Sequence, residues 1–361
     1  MTTLHLAPGD LDTALRTHRS PGTRFILGPG VYTTRGAFGF PDLDLCMLAP
    51  HCELVGAGAH LTTIQLVDPV LVHRQVPTGY VEVLTGGART QGSSSHLLMT
   101  GFTLDLSGTT VPMVGIHLWT SRARIHDVKV VGVTGSRSHP GPVKEGFGIL
   151  VNSAASADID GGHQVDSCAV HLAHVAGENY TTAIFVGCPR RSIPLLRSTI
   201  QNSVCVAKGG HAAFAANDHT DIIDCESHGF IRCFFCDTGP IRETTMRRMF
   251  ADDVQWAIDV RVGTPGDERR GIVVEDSTFV FFAPESGWVQ AVLAADETVE
   301  GGTPLDDIQF VACRFVARKE SNKASKGRTS GKRTRAIAMT DCRWVGPWES
   351  PVIQKDAEAW S

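Results

Sequence analysis

Short runs of alternating apolar and polar residues recur along this chain, most of them broken by an acidic or amide residue. The clearest are residues 125–130 (IHDVKV), 165–170 (VDSCAV), 200–205 (IQNSVC), 222–225 (IIDC), 274–279 (VEDSTF) and 339–344 (MTDCRW). Residues 246–250 (MRRMF) and 310–315 (FVACRF) fill two gaps without the acid or amide. With Asp127, Asp166, Asn202, Asp224, Arg248, Asp276, Ala312 and Asp341 taken as equivalent, the unit returns every 22 to 39 residues. Alternation of period two predicts strands. The stretches between them are rich in Gly, Asp, Asn and Pro and lack helical patterns, which argues against strand–helix–strand units. The unit is also too long for the closely spaced hairpins of a sandwich. Stacked coils remain.

A second apolar run follows in each coil, at 114–119, 148–152, 183–186, 213–215, 231–235, 257–261 and 291–293. Steps longer than the minimum are insertions at the turns, such as 134–146 and 318–335, and insertions on one face of a solenoid commonly build its binding site. Residues 10–16 predict a short amphipathic helix capped by Asp10, since a solenoid must cover the core and strand edge of its first coil. The expected organisation is one all-β domain: an N-terminal cap over 1–35, coils over 36–317, a basic insertion over 318–335, and a last coil with tail over 336–361.

Composition sharpens this picture. At 361 residues the chain is long for one spherical core, but a solenoid grows by adding coils. Thirty-seven glycines against three tyrosines fit many tight turns. A net charge of −5 gives no general attraction to nucleic acid or an anionic membrane, so neither is an expected partner. Neither a secretory leader nor an apolar run long enough to cross a membrane is visible, and the expected location is cytoplasmic. The ten cysteines sit mostly in apolar strand contexts and read as reduced, buried thiols, with 168, 205, 225, 313 and 342 lining an interior ladder. The eight Lys/Arg and one acid of 318–335 read as a mobile solvated insertion.

Residues 12–15 (DTAL), 25–32 (FILGPGVY), and 54–58 (LVGAG) with Thr63 and Ile64 make the chain resemble the pectate-lyase-like superfamily, and the repeated units extend the likeness to about residue 345. The resemblance implies a right-handed parallel β-helix that acts on carbohydrate. Members include polyuronate lyases, polygalacturonase-like hydrolases, epimerases, fructotransferases and phage tailspikes, and many such helices assemble as trimers, which makes a homotrimer a compatible assembly. The hydrolases carry, in order, Asn-x-Asp, Asp-Asp, His-Gly and Arg-x-Lys. Here Asn217 and Asp218, His228 and Gly229, and Asp252 and Asp253 occur in another order without Arg-x-Lys, so those roles are not carried over. Fold alone does not select the reaction.

Polar residues beside or just before the second run of each coil are expected to share one groove: Lys144, Glu145, Glu178, Lys208, His211, Asn217, Asp218, His219, His228, Asp252, Asp253, Asp259 and Arg261. Cleaving a glycosidic bond takes a protonated carboxyl and a carboxylate; Asp218, Asp252 and Asp253 are the first acids to test. A β-elimination takes a base and a cation, for which Lys144, Lys208, His211 and His228 are candidates. Lys144, Glu178, Asn217, Asp259 and Arg261 are expected to bind substrate. The main expectation is glycosidic-bond cleavage or rearrangement; a lyase, an isomerase of a small metabolite, and a non-enzymatic glycan- or protein-binding helix stay open. No cofactor is expected, apart from calcium if the reaction is elimination. Cys225, His228, Cys233 and Cys236 suggest zinc, but residues three apart in a regular strand point to opposite faces, so no metal site is assigned.

Overall fold

The computed structural model describes residues 1–36, 47–67, 81–87, 96–139, 144–152, 160–175, 178–187, 195–236, 241–261, 269–282, 289–295, 307–318, 324–325, 328–330, 337–346 and 354–355. Almost every described strand belongs to one continuous all-parallel sheet, and the chain is a right-handed parallel β-helix. Each coil crosses three faces. A typical coil enters the first sheet at Ile241–Arg247, turns into the second at Phe250–Val254 and the third at Trp256–Arg261, then returns to the first sheet one coil higher at Arg269–Glu275.

The turn from first to second sheet explains the recurring polar residue. Asp127, Ser167, Asn202, Asp224, Arg248, Asp276, Ala312 and Asp341 all have φ between 48° and 54°, the left-handed region that Asp and Asn tolerate better than most side chains. One expected register is corrected: Asp166 pairs as a strand residue with His126 and Gln201, and Ser167 makes the turn. Matching by acidic side chain placed it one residue early.

The residue after each turn points inward, giving Val128, Cys168, Ser203, Cys225, Met249, Ser277 and Cys313, all buried. The thiols donate to carbonyls of the coil below: Cys168 to Ile125 (3.7 Å), Cys225 to Ile200 (3.6 Å) and Cys313 to Val274 (3.4 Å). Burial pushes these thiols up to about 12, so they are inert at neutral pH. Cys205 is also interior but on another ladder, in register with Val170 and Ser227 on the second sheet. Farther along, Phe279, Phe315 and Trp344 stack at 5.7 and 4.4 Å between centroids, each pair adding about 0.5–1.5 kcal/mol beyond area burial.

The third sheet carries a regular irregularity that decides the site. Gly115, Gly148, Ala183, Ala213, Cys233 and Ala257 are small, and the next residue of each strand, Ile116, Ile149, Ile184, Phe214, Phe234 or Ile258, also lies in the core. A Cβ on Gly115 would sit 2.7 Å from the Gly148 carbonyl oxygen, so this position must stay small. Two successive inward residues shift the alternation, and for that reason Cys233 and Cys236 are both in the core, contrary to the opposite-face expectation. No group of three or more His, Cys, Asp or Glu among the described residues could hold a metal ion.

At the N-terminus, Asp10 caps helix α1 (Leu11–Thr17) by accepting from the Thr13 amide at 3.2 Å. Buried Asp12 ties the helix to the next strand through the Thr34 hydroxyl (2.6 Å) and the Arg35 amide (2.8 Å). The expected cap segment also holds coil strands, since Thr2–Leu6 pairs with Thr23–Leu27 and Gly9–Asp10 with Gly30–Thr34. In the basic segment, Ala324–Ser325 and Arg328–Ser330 pair with Val289–Ala295; residues 319–323, 326–327 and 331–336 lie outside the described residues. No described helix is long and apolar enough to cross a membrane.

Candidate active site on the outer face of the third sheet

Register along the third sheet defines its outward columns. One runs Val114, Phe147, Thr182, Ala212, Arg232, Trp256, and another His117, Leu150, Phe185, Ala215, Phe235, Asp259. The inward doubling described above brings these residues to the outer face. They divide into three zones: a Glu82–His117 pair on the early coils, an apolar block of Val114, Phe147 and Leu150 edged by Phe185, and a charged cluster on later coils.

The charged cluster centres on His211, which is only 2% exposed. Its Nδ1 lies 3.1 Å from Glu178 Oε1 and 3.3 Å from Arg232 Nη1. One ring nitrogen cannot donate to the first and accept from the second at once. The hydrogen bond to His211, followed by the Arg137 charge, holds the Glu178 carboxyl below its usual range, so Glu178 is an anion and Nδ1 carries the proton. Burial, with help from Arg232, lowers the His211 imidazole from its ordinary value despite Glu178. A neutral ring with its proton on Nδ1 keeps its lone pair on Nε2, and Nε2 has no hydrogen-bond partner among the described residues.

Arg232 is held from several sides. Its Nε donates to fully buried Asp259 at 2.5 Å, and its guanidinium lies 4.9 Å from the Phe235 ring centroid and 4.6 Å from that of Trp256. Tyr180 meets His211 edge-on at 4.4 Å, and Arg137 lies over the Tyr180 ring at 4.5 Å. Glu145 accepts from the Thr182 hydroxyl at 3.2 Å. Glu178 and Arg137, with 30% and 61% of their side chains exposed, form the solvent-facing rim.

Of the expected residues, Glu145, Glu178, His211 and Asp259 lie here. The others are dispersed. Asp218 lies in the turn from third to first sheet, buried against Arg242. Asn217 beside it bonds Cys236 Sγ at 3.8 Å. Asp252 and His228 are register partners on the outer face of the second sheet, where Asp252 pairs with Arg318 (2.5 Å) and His228 with Glu226 (3.3 Å). Asp253 makes a left-handed turn beside them, its carboxyl raised by burial. His219 leaves the groove for Glu243 at 3.1 Å. Lys208 is exposed in the approach to the third sheet and Lys144 is exposed ahead of Gly146–Asn152; Arg261 ends Trp256–Arg261. Asp218 is therefore not brought together with Asp252 and Asp253, because turns separate them onto different faces. Arg232, Tyr180, Arg137 and Trp256 escaped the sequence reading. A lone arginine inside the apolar run 231–235 was the available signal.

The sequence matches no family model and no curated protein. Among solved structures, polygalacturonase from Erwinia carotovora ssp. carotovora is similar with a TM-score of 0.63 and 12% identity, over 98% of this chain and 96% of that one. Endo-xylogalacturonan hydrolase from Aspergillus tubingensis gives 0.54 and 12%, covering 95% and 93%. The catalytic domain of a GH87 α-1,3-glucanase in complex with nigerose gives 0.51 and 9%, covering 98% and 67%. These likenesses show the fold alone, a right-handed parallel β-helix. In coil order this face carries Glu145, Thr182, His211 and Arg232, and among the described residues no aspartate pair stands between Glu145 and His211.

Proposed function

We propose that this chain is a carbohydrate-active enzyme that moves a proton on an acidic sugar bound against His211. The observation that carries this reading is a neutral, buried imidazole whose Nε2 has no hydrogen-bond partner among the described residues, beside a fixed guanidinium. A proton on the carbon next to a sugar carboxylate becomes removable when cations stabilise the charge that develops on that carboxylate. His211 Nε2 takes that proton, and Arg232, with Arg137 at the rim, holds the carboxylate. In elimination, the electron pair of the broken C–H bond forms a double bond while the C–O bond at the neighbouring carbon breaks, and the leaving oxygen takes a proton from solvent water or from the His211 imidazolium just formed. Reprotonation of the same carbon from the other face gives epimerisation instead.

Hydrolysis is the second reading, favoured by Glu145 and Glu178 lying on successive coils beside Thr182. In it Glu178, held ionised, serves as the carboxylate and leaves Glu145 as the acid, since Asp259 is engaged by Arg232. Calcium has no candidate ligand group among the described residues, and no step is routed through it. The test is incubation with galacturonate and mannuronate oligosaccharides, read by the ultraviolet absorbance of unsaturated product, by new reducing ends and by deuterium uptake from heavy water. Unsaturated product or deuterium at carbon supports proton transfer by His211; new reducing ends with saturated products and no deuterium would show hydrolysis instead.

A further inference from the structure

We infer that the turn edge formed by His51, His96, Arg122 and Arg124, apart from the His211 cluster, is an anion site that takes an acidic oligosaccharide. The choice of a saccharide rests on the reading above; the anion site does not. Strand register stacks the residues that lead from the third sheet into the first, so that His51, His96, Arg122, Gly162, Arg197 and His219 follow one another a coil apart. Along this one column the later cations are neutralised within the chain, Arg197 by Asp221 (2.7 Å) and His219 by Glu243 (3.1 Å). The earlier ones are not. His51, His96 and Arg124 are exposed and Arg122 is half-buried, and none of the four has an acidic partner among the described residues. Glu53 and Asp166, on the adjoining first-sheet strands, are engaged by Arg24 (3.1 Å) and His126 (3.1 Å). Gly162, on the next rung, leaves room for the Arg122 stem, since a Cβ there would meet its Cγ at 3.1 Å.

The four groups form a set of donors. The His96 amide donates to His51 Nδ1 at 3.4 Å, so the neutral His51 ring carries its proton on Nε2. The two imidazoles stand 6.0 Å apart between centroids, and the two arginines follow at the start of the next coil. Burial, then the Arg122, His51 and Arg124 charges, hold the His96 imidazole below its ordinary value; like charges gathered without a counter-ion are relieved when an anion joins them. Guanidinium groups bind carboxylates through paired hydrogen bonds. His51, His96 and Arg122 stand in single file, about 4.8 Å per rung, a spacing on the scale of one sugar ring, and an oligomer of acidic sugars carries one carboxylate per ring. A nucleic-acid duplex sets its phosphates on two strands across a groove and does not match a single file. Residues 88–95, which lead into His96, contain an arginine and no acid, although the whole chain has a net charge of −5.

The experiment is calorimetric titration of the whole chain with tetragalacturonate, neutral maltotetraose, single-stranded DNA and inorganic phosphate, on the wild type, on Arg122→Asn combined with Arg124→Gln, and on His211→Gln, together with an NMR pH titration of His96 with and without tetragalacturonate. Asn is chosen at position 122 because φ there is 57°, in the left-handed region that Asn tolerates. Tetragalacturonate is expected to bind, more weakly as salt rises, and maltotetraose is not. The double variant is expected to lose about tenfold or more in affinity, whereas His211→Gln keeps this binding. Bound tetramer moves the His96 titration to higher pH, because an anion stabilises the charged ring. Equal affinity in the wild type and the double variant, or a His96 titration unmoved by bound tetramer, overturns the edge site; if that binding is then lost in His211→Gln, the reading at His211 stands. Arginine-dependent binding of DNA or phosphate without binding of the tetramer overturns the saccharide assignment, and no binding of any probe overturns the site.

Discussion

His117 and His211 each hold a glutamate through Nδ1, at 2.7 and 3.1 Å, on the same outer face of the same sheet. In the first pair both residues are fully buried, and Asn152 donates to the remaining nitrogen. In the second the glutamate reaches solvent, an arginine and three aromatic rings crowd the cluster, and the remaining nitrogen has no partner among the described residues. The contrast shows that residue types do not make a reactive centre. A saturated pair spends its hydrogen-bonding capacity on the fold, while an unsaturated one keeps a lone pair for a ligand.

Exchanging the two histidines' side chains separates these roles most sharply. His211→Gln is expected to lower kcat/KM by about 10²–10⁴-fold with little change in the unfolding midpoint, measured by steady-state kinetics and urea denaturation. His117→Ala is expected to do the reverse. Removing the ring takes a 2.7 Å hydrogen bond from buried Glu82 and is expected to cost about 1–3 kcal/mol of stability, while activity per folded molecule holds. If His117→Ala abolishes activity without destabilising the chain, the contrast between the pairs is lost.

A third histidine sharpens the comparison from the interior. His163 accepts from the Ala123 amide at 3.3 Å, its Nε2 has no partner among the described residues, and burial lowers it to about 3. An unfolded histidine titrates near 6.5, so between pH 6.5 and 3 the unfolded chain binds a proton that the folded chain refuses. Stability is therefore full above 6.5 and falls by about 1.4 kcal/mol per pH unit below it. His163→Leu should flatten that slope in denaturation curves collected across this range; an unchanged slope would assign the acid sensitivity elsewhere.

The pH–rate profile tests the same physics at the site. Because burial lowers His211, the base stays neutral into mildly acidic solution, and the acid limb of kcat/KM is expected below pH 6.5. A limb above 6.5 would mean that Glu178 wins over desolvation. The smallest effect belongs to the second sheet: Arg318→Ala removes the exposed pair with Asp252 and is expected to change stability by at most about 1 kcal/mol and activity not at all.

The fold was legible because it is written in repetition. A left-handed turn every coil calls for Asp or Asn, the next residue must be small or apolar to fill the interior, and strand alternation follows, so Asp127, Asn202 and Asp276 announce the stack without any knowledge of contacts. Even the register error at Asp166 was local, a choice between neighbours that both look polar. The cap was readable for the same reason, since Asp10 bonds an amide three residues away.

The site was not legible in the same way, because it is built across coils. Glu178, His211, Arg232 and Asp259 are separated by about a coil each in sequence and meet only once the third sheet is stacked. Which side of that sheet they face depends on the doubled inward positions, set by backbone contacts such as Gly115 against Gly148 that no local pattern reveals. Asp218 and Asp252 look as promising in sequence, yet turns place them on other faces and bind them to Arg242 and Arg318. The sequence by itself determined the coil, because its rules act between near neighbours. Only the tertiary structure decided the site, because a lone pair stays open only where every neighbouring coil fails to satisfy it.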